Sequence, residues 1–127
     1  MNEYDERLFD ANKYMPILEK AQNLSEAADR RDADAVRGAL REVECETCFV
    51  ETWASKAAMR IYTAISNIDD FLCRDRLDEV EWDWVNESVG EIECEAQCLF
   101  DLEDRRMRRP GAFRGKRMAA HGDLIKL

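Results

Sequence analysis

Residues 34–72, DAVRGALREVECETCFVETWASKAAMRIYTAISNIDDFL, decide how the chain is read. Within this stretch Val36, Leu40, Val43, Thr47, Val50, Ala54, Ala57, Ile61, Ala64, Ile68 and Phe71 recur at alternating steps of four and three. That spacing traces a seam along one face of a helix. The stretch has no proline, and its one glycine, Gly38, lies near the start. The pattern predicts a single long central helix over about residues 33–72, whose 39 quoted positions would span about 58 Å at 1.5 Å per residue. Small alanines at 54, 57 and 64 would let a neighbouring helix approach, and the isoleucines with Phe71 would fill the wider gaps.

Upstream, Tyr4, Leu8, Ala11, Met15 and Leu18 continue the same spacing until Pro16 interrupts it. Proline is tolerated only in a first helical turn. The prediction is therefore a short helix over 3–13 and a second from near Met15 to Arg30 and Arg31, bases suited to the negative end of its dipole. Asp32 is placed to cap the central helix. Downstream, the seam is lost at Cys73-Arg74-Asp75-Arg76-Leu77-Asp78, which reads as a turn. A third helix over about 78–109 follows, with Trp82, Val85, Val89, Ile92, Ala96 and Leu99 on its stripe and Gly90 inside it. Val80, Trp82 and Trp84 alternate with acids as a strand would, but a lone strand has no partner in this chain, so helix is preferred. Pro110 and Gly111 end it. The expected fold is all-α: an antiparallel three-helix bundle over 1–109 with the N-terminal helix broken near Pro16, then a basic tail over 110–127, flexible or ordered by a partner.

Charge is the least ordinary property of the chain. Residues 105–127 hold eight Lys or Arg against Asp123 alone, a net of +7, while the remaining residues hold 11 bases and 27 acids, a net of −16. An acidic body with a basic end is expected to face something basic, although acidic helix faces also serve solubility. The acidic start and the lack of a long uncharged apolar run argue against a secretory signal or a membrane span. Five cysteines, an odd number, suit a reducing compartment, so the expectation is a cytoplasmic protein.

Glu42-Val43-Glu44-Cys45-Glu46 and Glu91-Ile92-Glu93-Cys94-Glu95 echo each other at a shift of 49, each with another cysteine close behind, Cys48 and Cys98. A duplicated hairpin and a coincidence of acidic heptads both account for the echo. Four thiolates could hold a tetrahedral zinc, but the turn near Asp75 leaves the two pairs out of register and no knuckle is present. Small apolar packing is the plainer role for these cysteines, and no metal or other cofactor is expected. The pairs Glu42 with Glu46 and Glu91 with Glu95 lack the histidines of a di-iron site, since the one histidine, His121, lies in the tail. Nucleophilic catalysis has no visible base, and Gly111-Ala112-Phe113-Arg114-Gly115-Lys116-Arg117 is one residue short of a phosphate loop and ends on the wrong residue. The chain is not expected to be an enzyme.

What remains is recognition. The expected activity is that of an adaptor or inhibitor whose acidic helical body docks on a basic, even nucleic-acid-binding, surface of a larger protein. Phage-type inhibitors of bacterial defence complexes work this way; the likeness is one of charge and size. Glu42, Glu44, Glu46, Glu51, Glu87, Glu91, Glu95 and Asp101 are the contact candidates, with Phe49, Tyr62 and Trp84 as apolar contacts. Met59 and Val80 also lie off the buried stripe. Arg105, Arg106, Arg108, Arg109, Arg114, Lys116 and Arg117 are the candidate tail contacts. Direct binding of nucleic acid is not expected except through that tail, because the body repels a polyanion over a Debye length of about 8 Å. The alternatives are a homodimer or larger bundle joined through Phe49, Tyr62 and Trp84, and a metal-binding protein using Cys45, Cys48, Cys94 and Cys98.

Overall fold

The computed structural model describes residues 12–74 and 76–108. Helix α1, Met15–Asp29, starts with Pro16 in its first turn, where a missing N–H costs nothing. Buried Asn12 fixes the entry: its Oδ1 accepts from Tyr14 N at 2.9 Å and its Nδ2 donates to Phe100 O at 3.0 Å. The helix ends in a Schellman turn, with Asp32 N donating to Ala27 O and Arg31 N to Ala28 O. Arg31 supplies the left-handed residue of that turn at φ 56°. Asp32 then caps α2, Ala33–Thr47, by accepting from Ala35 N at 3.1 Å.

The single helix expected over 33–72 is two helices. Helix α2 stops at Thr47, a 3₁₀ turn occupies Thr52–Ala54, and α3 runs over Ser55–Leu72. Neither glycine nor proline marks the break, so nothing in the local composition signals it. The end of α2 tightens into i→i−3 bonds, Phe49 N to Glu46 O and Val50 N to Thr47 O. Thr47 Oγ1 also donates back to Val43 O at 2.7 Å. The extended backbone at Glu51 is then held from a distance: its N–H donates to Tyr14 Oη at 3.1 Å and its carboxylate meets Lys13 Nζ at 2.9 Å. Trp53 adds a 2.7 Å bond from its indole N–H to Glu51 and sets its ring edge-on to Tyr14, with centroids 6.3 Å apart.

Folding the rod back on itself brings its two halves side by side. Arg41 meets Asp69 at 2.7 Å, and Arg37 Nη2 donates to the carbonyl of Leu72 at the same distance. The heptad seam crosses the break without a change of phase, so both halves face one core. Val36, Leu40, Val43, Ile61, Ala64 and Ile68 are all buried in it. A straight rod would leave part of that stripe without cover, at about 1.5–3 kcal/mol for each large side chain left exposed.

Helix α4, Glu79–Arg108, is the third helix anticipated from the sequence, and at 30 residues it spans about 45 Å. A reciprocal capping box opens it: Glu81 N donates to Asp78 Oδ1 at 2.8 Å and Asp78 N to Glu81 Oε1 at 3.0 Å. The strand-like alternation resolves into helix, with Trp82 buried and Val80 and Trp84 outside. A Cβ on Gly90 would meet no neighbour within 4 Å, so this glycine serves no close approach. Cross-helix pairs give the topology. Lys20–Glu42 joins α1 to α2, Arg60–Glu95 and Arg74–Glu81 join α3 to α4, and α4 returns to α1 through Asn12–Phe100 and Lys13–Glu103 at one end and Arg31–Glu79, in the turn after α1, at the other. The order is up-down-up-down, each helix antiparallel to its two neighbours and α2 diagonal to α4. The described fold is thus four helices packed together, in place of the three-helix bundle expected. The helix predicted over 3–13 and the tail over 110–127 lie outside the described residues.

Candidate functional site

Between Glu79 and Asp104, α4 carries ten acids and no base. Some are answered by other helices or by its own last turn. Glu79 pairs with Arg31, Glu81 with Arg74, Glu95 with Arg60 at 2.9 Å, and Asp104 with Arg108. Glu103 is buried and takes a two-pronged bond from Arg106 at 2.8 and 2.9 Å, with Lys13 at 3.9 Å. Asp83, Glu87, Glu91, Glu93 and Asp101 have no ion pair among the described residues, and Asp101 accepts from Gln97 at 3.0 Å. The charge on the outer side of α4 is therefore mostly uncompensated.

The second row behaves differently. On α2 and the joint, Glu42 meets Lys20, Glu44 meets Arg41 and Glu51 meets Lys13. Glu46 has no ion pair among the described residues. The Lys13 hydrogen bond, then that of Trp53, holds the Glu51 carboxyl below its ordinary range. Because α2 and α4 stand diagonally across the bundle, the eight candidate carboxylates do not form one face. The α4 set keeps Glu87, Glu91 and Asp101 open, whereas most of the α2 set is answered internally.

The apolar candidates divide in the same way. Phe49 is 73% exposed on the α2–α3 joint, and Tyr62 is nearby, its hydroxyl donating to Cys48 Sγ at 3.5 Å. That bond pushes the Tyr62 phenol up to about 12, with partial burial adding to it. Trp84 lies elsewhere, tilted against Phe71 with ring centroids 5.5 Å apart. Trp53, half exposed in the 3₁₀ turn Thr52–Ala54, belongs with the joint; within an unbroken helix its position carries no signal. Of the tail candidates, Arg105, Arg106 and Arg108 are in the last turn of α4, and Arg106 and Arg108 are tied to its own carboxylates. Arg109, Arg114, Lys116 and Arg117 lie outside the described residues.

All five cysteines are free and exposed. Cys45 and Cys48 sit at the end of α2 and Cys94 and Cys98 on the diagonal helix, so the pairs do not converge. No group of three His, Cys, Asp or Glu among the described residues is placed to hold a metal ion. Partial burial, then the neighbouring Cys94 and Glu95, raises the Cys98 thiol above its ordinary value, which works against a reactive thiolate.

Two open clefts lie end to end in the furrow between α3 and α4. One, of about 300 Å³, is bounded by Met59, Thr63, Glu91 and the Arg60–Glu95 pair. The other, of about 430 Å³, is bounded by Asp70, Phe71, Arg74, Trp84 and Glu87. Asn67 borders both. Among the described residues no helix is long and apolar enough to cross a membrane. Comparison with family models, with curated proteins and with solved structures finds no match.

Proposed function

We propose that this chain is a non-catalytic protein-binding module, an adaptor or inhibitor, whose acidic α4 side docks on a basic surface of a larger protein, including surfaces built to hold nucleic acid. The observation that carries this reading is the run of ten acids without a base along α4, five of them with no ion pair among the described residues. Carboxylates repeated at helical spacing on a rigid rod present fixed negative charge without mobile side-chain partners to neutralise it. Such a surface steers association with a cationic partner and gives it a strong salt dependence.

The test is capture from the native host with the full chain and with a variant carrying Asp83→Asn, Glu87→Gln, Glu91→Gln and Asp101→Asn. The expected result is a nucleic-acid-binding protein held by the parent chain, released by raised salt and absent from the variant. Displacement of DNA or RNA from that partner by excess chain would establish mimicry. Retention of the same partner by the variant, or indifference to salt, would refute the reading. A homo-oligomer is the second reading, favoured by the 73% exposure of Phe49 on the α2–α3 joint, which also carries the half-exposed Trp53. Light scattering of a concentrated solution checks it, and a monomer rules it out.

A further inference from the structure

We propose that the α3–α4 furrow is the docking groove of this module and that its occupant is a single basic amphipathic helix of the partner, with two apolar side chains seven residues apart and Lys or Arg between them. This rests on the acidic-surface reading above and narrows it to one groove and one kind of ligand. Three features of shape converge there. The furrow from Met59 to Phe71 is about 18 Å long at 1.5 Å per residue, the length of roughly three helical turns. Its two clefts are centred about 10–12 Å apart along the helix axes on the same rise, which matches residues i and i+7 of a docked helix. Apolar side chains stand exposed at both ends, Met59 at one and Trp84 at the other, so each cleft offers an anchor site.

Charge chooses the occupant. The two bases in the furrow are already engaged, Arg60 with Glu95 and Arg74 with Glu81. Asp70, Glu87 and Glu91 border the clefts and have no ion pair among the described residues. A second copy presenting the same face would meet like charge, and a polyanion would be repelled; a cationic helix gains at each of these carboxylates while its apolar anchors cover Met59 and Trp84.

The probe is a labelled alanine-based peptide helix of about 15 residues with two leucines seven apart and lysines between them on the same face. Binding to the full chain is followed by anisotropy and by tryptophan emission. The expected result is saturable binding with a blue shift, weakened tenfold or more by Glu87→Gln with Glu91→Gln and, separately, by Trp84→Ala or Met59→Ser. Circular dichroism confirms that each variant is folded. A control peptide with the leucines five apart should bind at least tenfold more weakly. Equal binding of the two peptides, or unchanged binding to the groove variants, overturns the groove. Host-partner capture separates this failure from that of the broader reading. Loss of the partner on Asp83→Asn with Asp101→Asn, with the groove variant unaffected, sinks the groove and leaves the acidic α4 surface standing; salt-insensitive capture by every variant sinks both.

Discussion

Arg31 is one of several residues whose roles only coordinates reveal. It holds a left-handed conformation at φ 56° in the turn between α1 and α2, where a side chain costs roughly 1–2 kcal/mol relative to glycine. Its pair with Glu79, at 3.7 Å and largely exposed, offsets little of this. Arg31→Gly should therefore stabilise the protein by about 1 kcal/mol, read as a rise in Tm of about 3–5 °C. Gly90→Ala should act in the same direction, by about 0.5–1 kcal/mol, because the new methyl meets nothing and the helix gains propensity. Arg106 is the opposite case. By charge pattern it belongs to a basic tail, yet it satisfies the buried Glu103 carboxylate. Arg106→Ala should cost about 2–4 kcal/mol in denaturant unfolding, since the carboxylate would keep only Lys13 at 3.9 Å. At Tyr62 the prediction is spectroscopic. Its phenol is raised to about 12, so the stabilisation of the neutral form is intact below about 10 and lost as pH climbs toward 12. In a tyrosine absorbance titration the Tyr62 transition should come late, and Cys48→Ala should move it down toward 10.

The joint between α2 and α3 is where element-scale forces decide the fold. A seam of eleven positions at helical spacing says that both halves bury the same face, and they do. Whether the helix continues through Phe49 and Val50 is settled by groups some 37 positions earlier in the chain, Lys13 and Tyr14, which reach Glu51. Tyr14→Phe removes the acceptor for Glu51 N and should cost about 1–2 kcal/mol, with faster amide exchange at 49–54 as the specific mark. The Glu51 carboxyl is held below its ordinary value, chiefly by Lys13, so its contribution is present above the unfolded value near 4.3 and is lost as pH falls through the folded one. Protease cleavage within 48–54 should therefore increase below about pH 4. Lys13→Met should flatten that dependence.

At the scale of the whole molecule, charge and topology work together. Folding the central stretch in two places α2 and α4 on a diagonal and separates the acidic rows that the sequence echo presents as equivalent. Glu42 is then within reach of Lys20 on α1 and Glu51 of Lys13, and Glu44 pairs with Arg41 of its own helix, while Asp83, Glu87, Glu91, Glu93 and Asp101 of α4 have no ion pair among the described residues. The concentration of negative charge on one side of the bundle is a tertiary property. Self-repulsion of so acidic a body should be relieved by salt, so the unfolding midpoint is expected to rise as ionic strength increases from low to physiological. A falling midpoint would mean that the cross-helix ion pairs outweigh the uncompensated carboxylates.

The sequence by itself determined that the chain is helical, which residues face inward, that Pro16 belongs to a first turn and Asp32 caps α2, and that Phe49, Met59, Tyr62, Val80 and Trp84 point outward. Those properties follow from spacing and from caps within four residues, and both are local. Only the tertiary structure decided that the central helix folds back, that Arg106 serves a buried carboxylate, and that Asp70, Glu87 and Glu91 border a two-cleft furrow. The fold-back depends on bonds from Lys13 and Tyr14, and the furrow on two packed helices, partners too far along the chain for a local pattern to encode; Arg106 and Glu103 are three residues apart, and what the other helices decide there is the burial of the carboxylate.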